Sequence, residues 1–248
     1  MPWPYARIVA HRGGGALAPE NTLAAIRKAR ALGFAAVEFD VTLAADGVPV
    51  LMHDETLERT TNGSGSVANI DSGALSRLDA GGWFAPEFAG EPVPRYAEAA
   101  ALCIELGLWA NVEIKPAPGA ERATGDAVAA MSATLWAGAP LPPLLSSFSI
   151  AALKEAREGA PSLPRALLVS DIPPDWRRRL DELDCASLHC DQRLLKQAQV
   201  QSVLEAGYGL LCYTVNDVET ARKLFAWGVN AIITDRLDLI RPDFGAHR

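Results

Sequence analysis

No stretch of this sequence reaches the roughly 18 consecutive apolar residues that a membrane-spanning helix requires. Residues 1–9 contain no apolar segment behind a basic one, which is the pattern of a secretory signal. We therefore predict a cytoplasmic protein without stable membrane insertion. Positive charge is also scarce, because 23 Lys and Arg face 30 Asp and Glu, for a net charge of −7. Since nucleic-acid binding is driven by Lys and Arg, we expect no nucleic-acid partner.

Cysteine is too sparse to define a disulfide framework or a thiolate metal site. None of the four cysteines, at positions 103, 185, 190 and 212, is spaced as Cys-x-x-Cys. We therefore predict four buried free thiols. The apolar fraction of 49% and the charged fraction of 21% are ordinary for a globular protein, so the chain can build a sizeable core.

Short β-type segments alternate with helical patterns along most of the chain, an order that is typical of a parallel sheet. The strand candidates are 6–10, 36–40, 110–114, 144–148, 165–169, 186–190, 210–215 and 231–234. The helical patterns are 23–32, 95–106, 120–137, 149–159, 174–183, 196–206 and 217–227. Eight such strands in 248 residues predict an α/β fold, a (β/α)₈ barrel of the TIM type, as a single domain over residues 1–248.

One further β-type segment, 49–52, does not fit the barrel period. It follows Asp46-Gly47, a turn signal, and we interpret it as the return arm of a hairpin from the second strand. A turn centred between residues 46 and 47 places His53 opposite Asp40. Residues 54–94 contain many turn residues and fit no barrel unit. The sequence therefore predicts a small insertion, or cap, after the second strand, over about residues 44–94 and above the barrel mouth.

Three acidic residues interrupt two neighbouring strands. Glu38 and Asp40 are two apart, as are Glu113 and Lys115, and residues two apart on a strand share one face. Three carboxylates at one point repel each other unless a cation neutralises them. The acids offer oxygen ligands, and the group contains no thiolate. The sequence therefore predicts one bound divalent cation, Mg²⁺ or Ca²⁺.

Histidines and cations accompany these acids. His11 and His53 are suited to proton transfer near neutral pH, and Arg12 and Lys115 to stabilising a phosphoryl group. Taken singly, a histidine at a strand end is often structural and Glu113 with Lys115 can be a simple ion pair. Residues 13–15, three glycines, can be only a turn, since they lack the spacing of known phosphate-binding loops. The grouping at strand ends favours a catalytic site.

Taken in order, these segments resemble the glycerophosphodiester phosphodiesterase family over residues 7–239. The resemblance is carried by His11-Arg12-Gly13, Pro19-Glu20-Asn21-Thr22, Glu38-Phe39-Asp40-Val41, Asp46-Gly47, His53-Asp54, Glu113-Ile114-Lys115, Ser146-Ser147-Phe148, Tyr213-Thr214-Val215-Asn216 and Ile233-Thr234-Asp235. It implies a barrel with an insertion after the second strand. It also implies metal-dependent hydrolysis of glycerophosphodiesters to sn-glycerol 3-phosphate and an alcohol such as choline or ethanolamine.

The resemblance also implies a role for each candidate residue. His11 and His53 become the acid/base pair, Glu38, Asp40 and Glu113 the metal ligands, and Arg12 and Lys115 the phosphate contacts. We add Phe148, Tyr213 and His189 as candidates for the substrate pocket, with ordinary packing as the alternative for each. Tyr213 stands where many family members carry Trp. We expect Asp235 to tie the last strand to its loop.

Two other functions remain open at this point. A barrel phosphodiesterase of the phospholipase type is expected to show an apolar or basic surface that faces the membrane, and secretion. A non-catalytic barrel that only binds a ligand is expected to have lost a catalytic group, and none is missing from the sequence. The sequence does not choose the metal, the alcohol, the order of acid and base, the role of the insertion or the oligomeric state.

Overall fold

The computed structural model describes residues 3–245 and confirms the barrel. Eight parallel strands close into a cylinder because the first strand is hydrogen-bonded to both the second and the last. The strands are β1 Ile8–Ala10, β2 Ala36–Leu43, β3 Pro49–Leu51, β4 Trp109–Ile114, β5 Leu144–Ser147, β6 Arg165–Val169, β7 Ser187–Asp191, β8 Gly209–Tyr213 and β9 Ala231–Thr234. Only β3 lies outside the cylinder, paired antiparallel to β2.

Helices follow or lie between the barrel strands, as the alternation predicted. They are α1 Leu23–Ala31, α2 Ser72–Leu75, α3 Tyr96–Leu106, α4 Glu121–Leu135, α5 Ile150–Gly159, α6 Trp176–Leu183, α7 Gln197–Glu205 and α8 Val218–Trp227. Three short 3₁₀ helices cover Gly15–Leu17, Val67–Asn69 and Pro86–Phe88. Within residues 3–245, no helix is both long and apolar enough to cross a bilayer.

Local sequence explains where several helices begin. The side chain of Thr22 accepts a hydrogen bond from the backbone N–H of Ala25, and so satisfies one of the free donors at the start of α1. Ser149 and Asp217 cap α5 and α8 in the same way. Each of these helices begins directly after the loop that follows its preceding strand. These loops therefore gather at the carboxyl end of the barrel.

Alternating strand residues build two apolar layers. A large core cluster, which includes Val37, Phe39 and Val112, fills the space between the strands and the helices. A smaller cluster, which includes Val9 and Ala36, fills the barrel interior. Glu38 and Asp40 alternate with Val37 and Phe39 along β2, so they face the interior with Ala36. The four cysteines are buried and free, as predicted.

The predicted hairpin is present, but its register is wrong by one residue. Leu51 pairs with Val41, and Met52 donates its backbone N–H to the carbonyl of Asp40 at 3.2 Å. The shift arises because residues 44–48 form a five-residue loop in which Gly47 adopts a left-handed conformation with φ 75°. The turn is therefore centred on Asp46, and His53 lies beyond the end of β3.

The segment 44–94 has a core of its own. Its buried apolar residues are Ala44, Val50, Met52, Leu57, Val67, Leu75, Ala80 and Val93. These side chains pack β3, the 3₁₀ turn Val67–Asn69 and α2 into one unit beside the end of β2. The insertion is therefore a folded structure and not a loose loop, and its turns are held in place by buried neighbours. The extent of the domain, residues 1–248, stays a prediction.

Candidate active site

Three carboxylates meet at the carboxyl end of the barrel. Glu38 and Asp40 come from β2 and Glu113 from β4, and the register sets Asp40 directly beside Glu113. One oxygen from each of the three lies within 4.8 Å of the others. Glu38 and Asp40 are each only 2% exposed. The strand alternation therefore carries three acids into one nearly water-free space, where their mutual repulsion is strong.

This burial changes the proton affinity of the cluster. Burial, together with the charge of Asp40, raises the pKa of Glu38 to about 7 and that of Glu113 to about 8. Burial acts on Asp40 in the same direction, but Lys115 and Arg12 outweigh it and hold the pKa of Asp40 below its usual value. Two of the three acids thus lack sufficient positive charge among the side chains around them. A hard divalent cation with oxygen ligands fits this donor set.

The cluster predicts how stability depends on pH. Between the usual glutamate pKa of 4.5 and the raised values of about 7 and about 8, the folded state holds protons that the unfolded state has released. The stability contributed by these protons is complete below the lower value and is lost as pH rises through the upper ones. We expect the melting temperature of metal-free protein to fall by on the order of 5 °C between about pH 5 and about pH 8.

Differential scanning fluorimetry after chelation measures this dependence. Addition of Mg²⁺ or Ca²⁺ should raise the melting temperature much more at the higher pH, because only the ionised carboxylates bind a cation. Glu105, an exposed acid on α3, supplies the control: Glu105→Gln should leave both effects unchanged. A melting temperature that rises with pH in metal-free protein contradicts the expectation.

Each candidate histidine has a carboxylate partner on the same ring nitrogen. The Nδ1 of His11 donates to Asp235 Oδ1 at 2.6 Å, and the Nδ1 of His53 donates to Asp54 Oδ1 at 2.6 Å. This arrangement leaves Nε2 of each ring free to exchange a proton. The Nε2 of His11 lies 3.8 Å from Glu38 Oε2, at the edge of the carboxylate cluster. Both imidazoles are therefore oriented for proton transfer at one place.

The glycines after His11 bring it against Asp235. Gly15 has φ 54°, and a Cβ at this position would lie only 2.4 Å from the backbone oxygen of Asp235. Only glycine allows this approach, in which Ala16 donates its N–H to that oxygen. Gly13 donates its own N–H to the carbonyl of Glu38 at 2.8 Å. The glycine run therefore locks the loop of His11 to β2 and to the loop after β9.

Two cations border the carboxylates. Lys115 Nζ lies 3.5 Å from both Asp40 Oδ1 and Glu113 Oε1. Arg12 Nη1 donates to Glu20 Oε1 at 2.6 Å, and Arg12 Nε lies 3.7 Å from Asp40 Oδ2. That Nε is buried and has no hydrogen-bond acceptor among the described residues, so it is a donor available to a bound anion.

The structure brings the seven main candidates together in one cavity of about 180 Å³. They are His11, Arg12, Glu38, Asp40, His53, Glu113 and Lys115. Phe148 and Tyr213 also line the cavity, and their rings meet edge to face at 5.9 Å. Leu168 and Ile233 add apolar floor beside them. The cavity thus has a charged wall and an apolar wall.

His189 is placed differently from the other pocket candidates. It is fully buried, it contacts Ser187 Oγ through Nε2, and it is not among the residues that line the cavity. Burial lowers its pKa to about 3, so it is neutral at physiological pH. It lies two residues before Asp191, the last residue of β7, beside Leu168 of β6 and Leu211 of β8. We do not assign it a role in substrate binding.

The sequence patterns did not predict which residues hold the candidate side chains in place. Asn21 holds Asp40 from two sides: its Nδ2 donates to Asp40 Oδ2 at 2.9 Å and its Oδ1 accepts from the Asp40 N–H at 3.0 Å. Asp235 both accepts from Asn216 Nδ2, as expected of a residue that ties the last strand to its loop, and orients His11. For the hydrogen-bonded pair of His53 and Asp54, their adjacency in the sequence was the one available signal.

Comparison with known proteins gives this site a family. A model described as the glycerophosphoryl diester phosphodiesterase family matches residues 11–239. The chain belongs to this family. A glycerophosphodiester phosphodiesterase of Caldanaerobacter subterraneus subsp. tengcongensis is 33% identical over 92% of this chain and 93% of its own length.

Solved structures of glycerophosphodiester phosphodiesterases share the barrel. An Oleispira antarctica phosphodiesterase, solved in complex with the product sn-glycerol-3-phosphate, is 39% identical, with a TM-score of 0.88 over 93% of each chain. A glycerophosphodiester phosphodiesterase from Agrobacterium tumefaciens is 29% identical, with a TM-score of 0.77 over 94% of this chain and 98% of its own. The family resemblance stated from the sequence motifs is therefore confirmed.

Proposed function

We propose that this protein hydrolyses glycerophosphodiesters to sn-glycerol 3-phosphate and an alcohol, with one divalent cation and histidine acid/base catalysis. The observation that carries the proposal is the meeting, in one cavity, of three carboxylates with two carboxylate-paired histidines and two cationic side chains. The product bound in the related Oleispira antarctica phosphodiesterase supports the choice of substrate.

In this proposal Glu38, Asp40 and Glu113 would hold one divalent cation, Mg²⁺ or Ca²⁺, which would supply Lewis-acid stabilisation of the phosphoryl group. Arg12 and Lys115 bind the remaining phosphoryl oxygens, and their charge counters the negative charge that grows in the transition state. Arg12 Nε, buried and without an acceptor among the described residues, is the donor best placed for this contact.

Proton transfer is the task of the two histidines. One Nε2 takes a proton from the attacking hydroxyl, which is water or the 2-hydroxyl of the glycerol moiety, and the other protonates the departing alkoxide. When the 2-hydroxyl attacks, this step gives a cyclic glycerol phosphate, and a water molecule then opens the ring to sn-glycerol 3-phosphate. Asp235 and Asp54 hold each ring by Nδ1, and so keep both Nε2 atoms available. The apolar wall formed by Phe148 and Tyr213 is the surface against which the glycerol carbons pack.

The alternative functions are less well supported. A non-catalytic barrel does not require all seven groups, and all seven line one cavity here. A phospholipase-type barrel has no observation in its favour here. The cytoplasmic location and the absence of a nucleic-acid partner stay predictions.

Purified protein incubated with glycerophosphocholine should release sn-glycerol 3-phosphate when Mg²⁺ or Ca²⁺ is present. Coupling to glycerol-3-phosphate dehydrogenase makes the product visible as NADH. Glycerophosphoethanolamine and glycerophosphoinositol in the same assay rank the alcohols. Phosphatidylcholine vesicles serve as the control for a phospholipase. Hydrolysis of the vesicles without hydrolysis of any glycerophosphodiester would overturn the proposal.

A further inference from the structure

Arg59, a residue of the insertion, is connected to the catalytic groups by a continuous chain of hydrogen bonds. It lies on a turn between two buried residues of the insertion, Leu57 and Thr60. The turn is closed by Thr61, whose backbone N–H and hydroxyl both donate to the carbonyl of Leu57. The backbone of Arg59 is therefore set by the core of the insertion, although 44% of its side chain is exposed.

The guanidinium of Arg59 clamps two carboxylates at once. Its Nε and Nη2 donate to the two oxygens of Asp54 at 2.6 and 3.0 Å. Its Nη1 and Nη2 donate to the two oxygens of Glu20 at 2.7 and 2.8 Å. Two bidentate pairs use four of the five N–H donors of the planar guanidinium, and a lysine cannot copy this geometry.

Each of these carboxylates holds a different group of the proposed machinery. Asp54 Oδ1 accepts from His53 Nδ1, and Glu20 Oε1 accepts from Arg12 Nη1, both at 2.6 Å. The chain of contacts therefore runs from His53 through Asp54, Arg59 and Glu20 to Arg12. The two ends of this chain are the proposed acid or base on one side and the proposed phosphate contact on the other.

Along this series of contacts, negative and positive side chains alternate from Asp54 to Arg12, and Arg59 lies between the two carboxylates. Hydrogen bonds from Arg59 lower the pKa of Asp54, and with Arg12 they keep the pKa of Glu20 below its usual value. Without Arg59, Glu20 would hold Arg12 alone and Asp54 would be free to rotate away from His53. Neither Asp54 nor Glu20 is among the residues that line the cavity. Each therefore affects catalysis through the side chain it holds, His53 or Arg12.

We propose that Arg59 is a positioning residue that holds His53 and Arg12 in their reactive orientations and makes catalysis depend on the insertion. This rests on the proposed function, since the roles of His53 and Arg12 come from it. It assigns a task to the insertion: its core fixes Arg59, and Arg59 connects His53, which follows β3 in the insertion, to Arg12, which follows the barrel strand β1.

Three variants and a matched control test this inference. Arg59→Ala should lower kcat about 10–100-fold on glycerophosphocholine and raise KM, because small displacements of a proton-transfer group are costly. Arg59→Lys should recover part of the loss and Asp54→Asn should reproduce the fall in kcat. Arg178 on α6 also bridges two carboxylates, Asp175 and Glu182, far from these residues in the sequence and outside the cavity lining, so Arg178→Ala should keep normal kcat.

Chemical rescue separates positioning from general loss of structure. Guanidinium chloride at concentrations well below those that unfold proteins should restore a large part of the activity of Arg59→Ala, because the exposed site admits the free ion. Sodium chloride at the same ionic strength should not. A kcat of Arg59→Ala within about threefold of the unmodified protein overturns the inference, as does a loss that guanidinium leaves unchanged.

A second measurement stands independently of activity. The sequence has four histidines, so the imidazole ¹⁵N signals are few and His53→Gln assigns those of His53. The unmodified protein should show His53 protonated at Nδ1 with Nε2 free, and Arg59→Ala should show a mixture of tautomers. An unchanged His53 pattern overturns the inference. If the unmodified protein hydrolyses no glycerophosphodiester, the proposed function fails, and this comparison alone decides the role of Arg59.

Discussion

His11→Ala and His53→Ala should each lower kcat by about 10³-fold or more, while the fold and metal binding stay largely intact. A positioned general acid or base contributes about 10²–10⁴-fold, and among the described residues His11 and His53 are the two histidines that line the cavity. Both side chains lie at loop positions after their strands, so their removal takes little from the core. The coupled glycerophosphocholine assay measures kcat, and circular dichroism and metal titration calorimetry check the fold and the site.

The carboxylate partners supply a graded comparison for these variants. Asp235→Asn should lower kcat less than His11→Ala, and the double variant should fall no further than His11→Ala, because the two residues act as one unit. A substrate with a p-nitrophenol leaving group separates the two histidines. The variant that lacks the acid should regain most of its rate on this substrate, and the variant that lacks the base should not. Near-normal kcat in either alanine variant removes that histidine from the mechanism.

Removal of the metal should also lower the rate strongly. We expect chelation with EDTA, or the variant Glu113→Gln, to lower the rate more than about a hundredfold, since a bound cation contributes several kcal/mol of charge stabilisation. Mg²⁺ or Ca²⁺ should restore the chelated protein and should not restore Glu113→Gln at the same concentration. Glu113 is the proposed ligand whose pKa is raised to about 8, because it is buried and lies beside the charge of Asp40.

The control for this pair is an acid outside the cluster. Glu105→Gln removes the same charge from the exposed surface of α3, and its rate and its response to EDTA should match the unmodified protein. Calorimetry should show one bound cation per chain in the unmodified protein and none in Glu113→Gln. Product formation that EDTA leaves unchanged would contradict the metal mechanism and would leave the histidines and cations as the complete catalytic set.

The sequence alone was sufficient to predict the barrel because its signals are local. Apolar strand segments, helical patterns such as residues 23–32, and turn signals such as Asp46-Gly47 each depend on neighbouring residues only. The same periodicity placed Glu38 and Asp40 on one face of β2, and adjacent parallel strands brought Glu113 beside them. The grouping of the acids therefore followed from strand alternation and from the order of the strands.

The hairpin shows where local signals stop. Asp46-Gly47 predicted a turn, but the number of loop residues depends on how Gly47 closes the loop and on the core of the insertion. The difference of one residue moved His53 from a position opposite Asp40 to the bend after β3. The surroundings of His189 likewise depend on tertiary structure, because the register of β7 against β6 and β8 decides its neighbours.

The sequence by itself thus determined the fold class and the family, and it named the seven residues that the structure brings to one cavity. Only the tertiary structure decided which partners hold them. Asp235 holds His11 and Asn21 holds Asp40. Arg59 holds Asp54 and Glu20, which are the partners of His53 and Arg12. The reason is distance along the chain. His11 and Asp235 are 224 residues apart, and contacts of this kind exist only once the barrel has closed and the insertion has packed beside it.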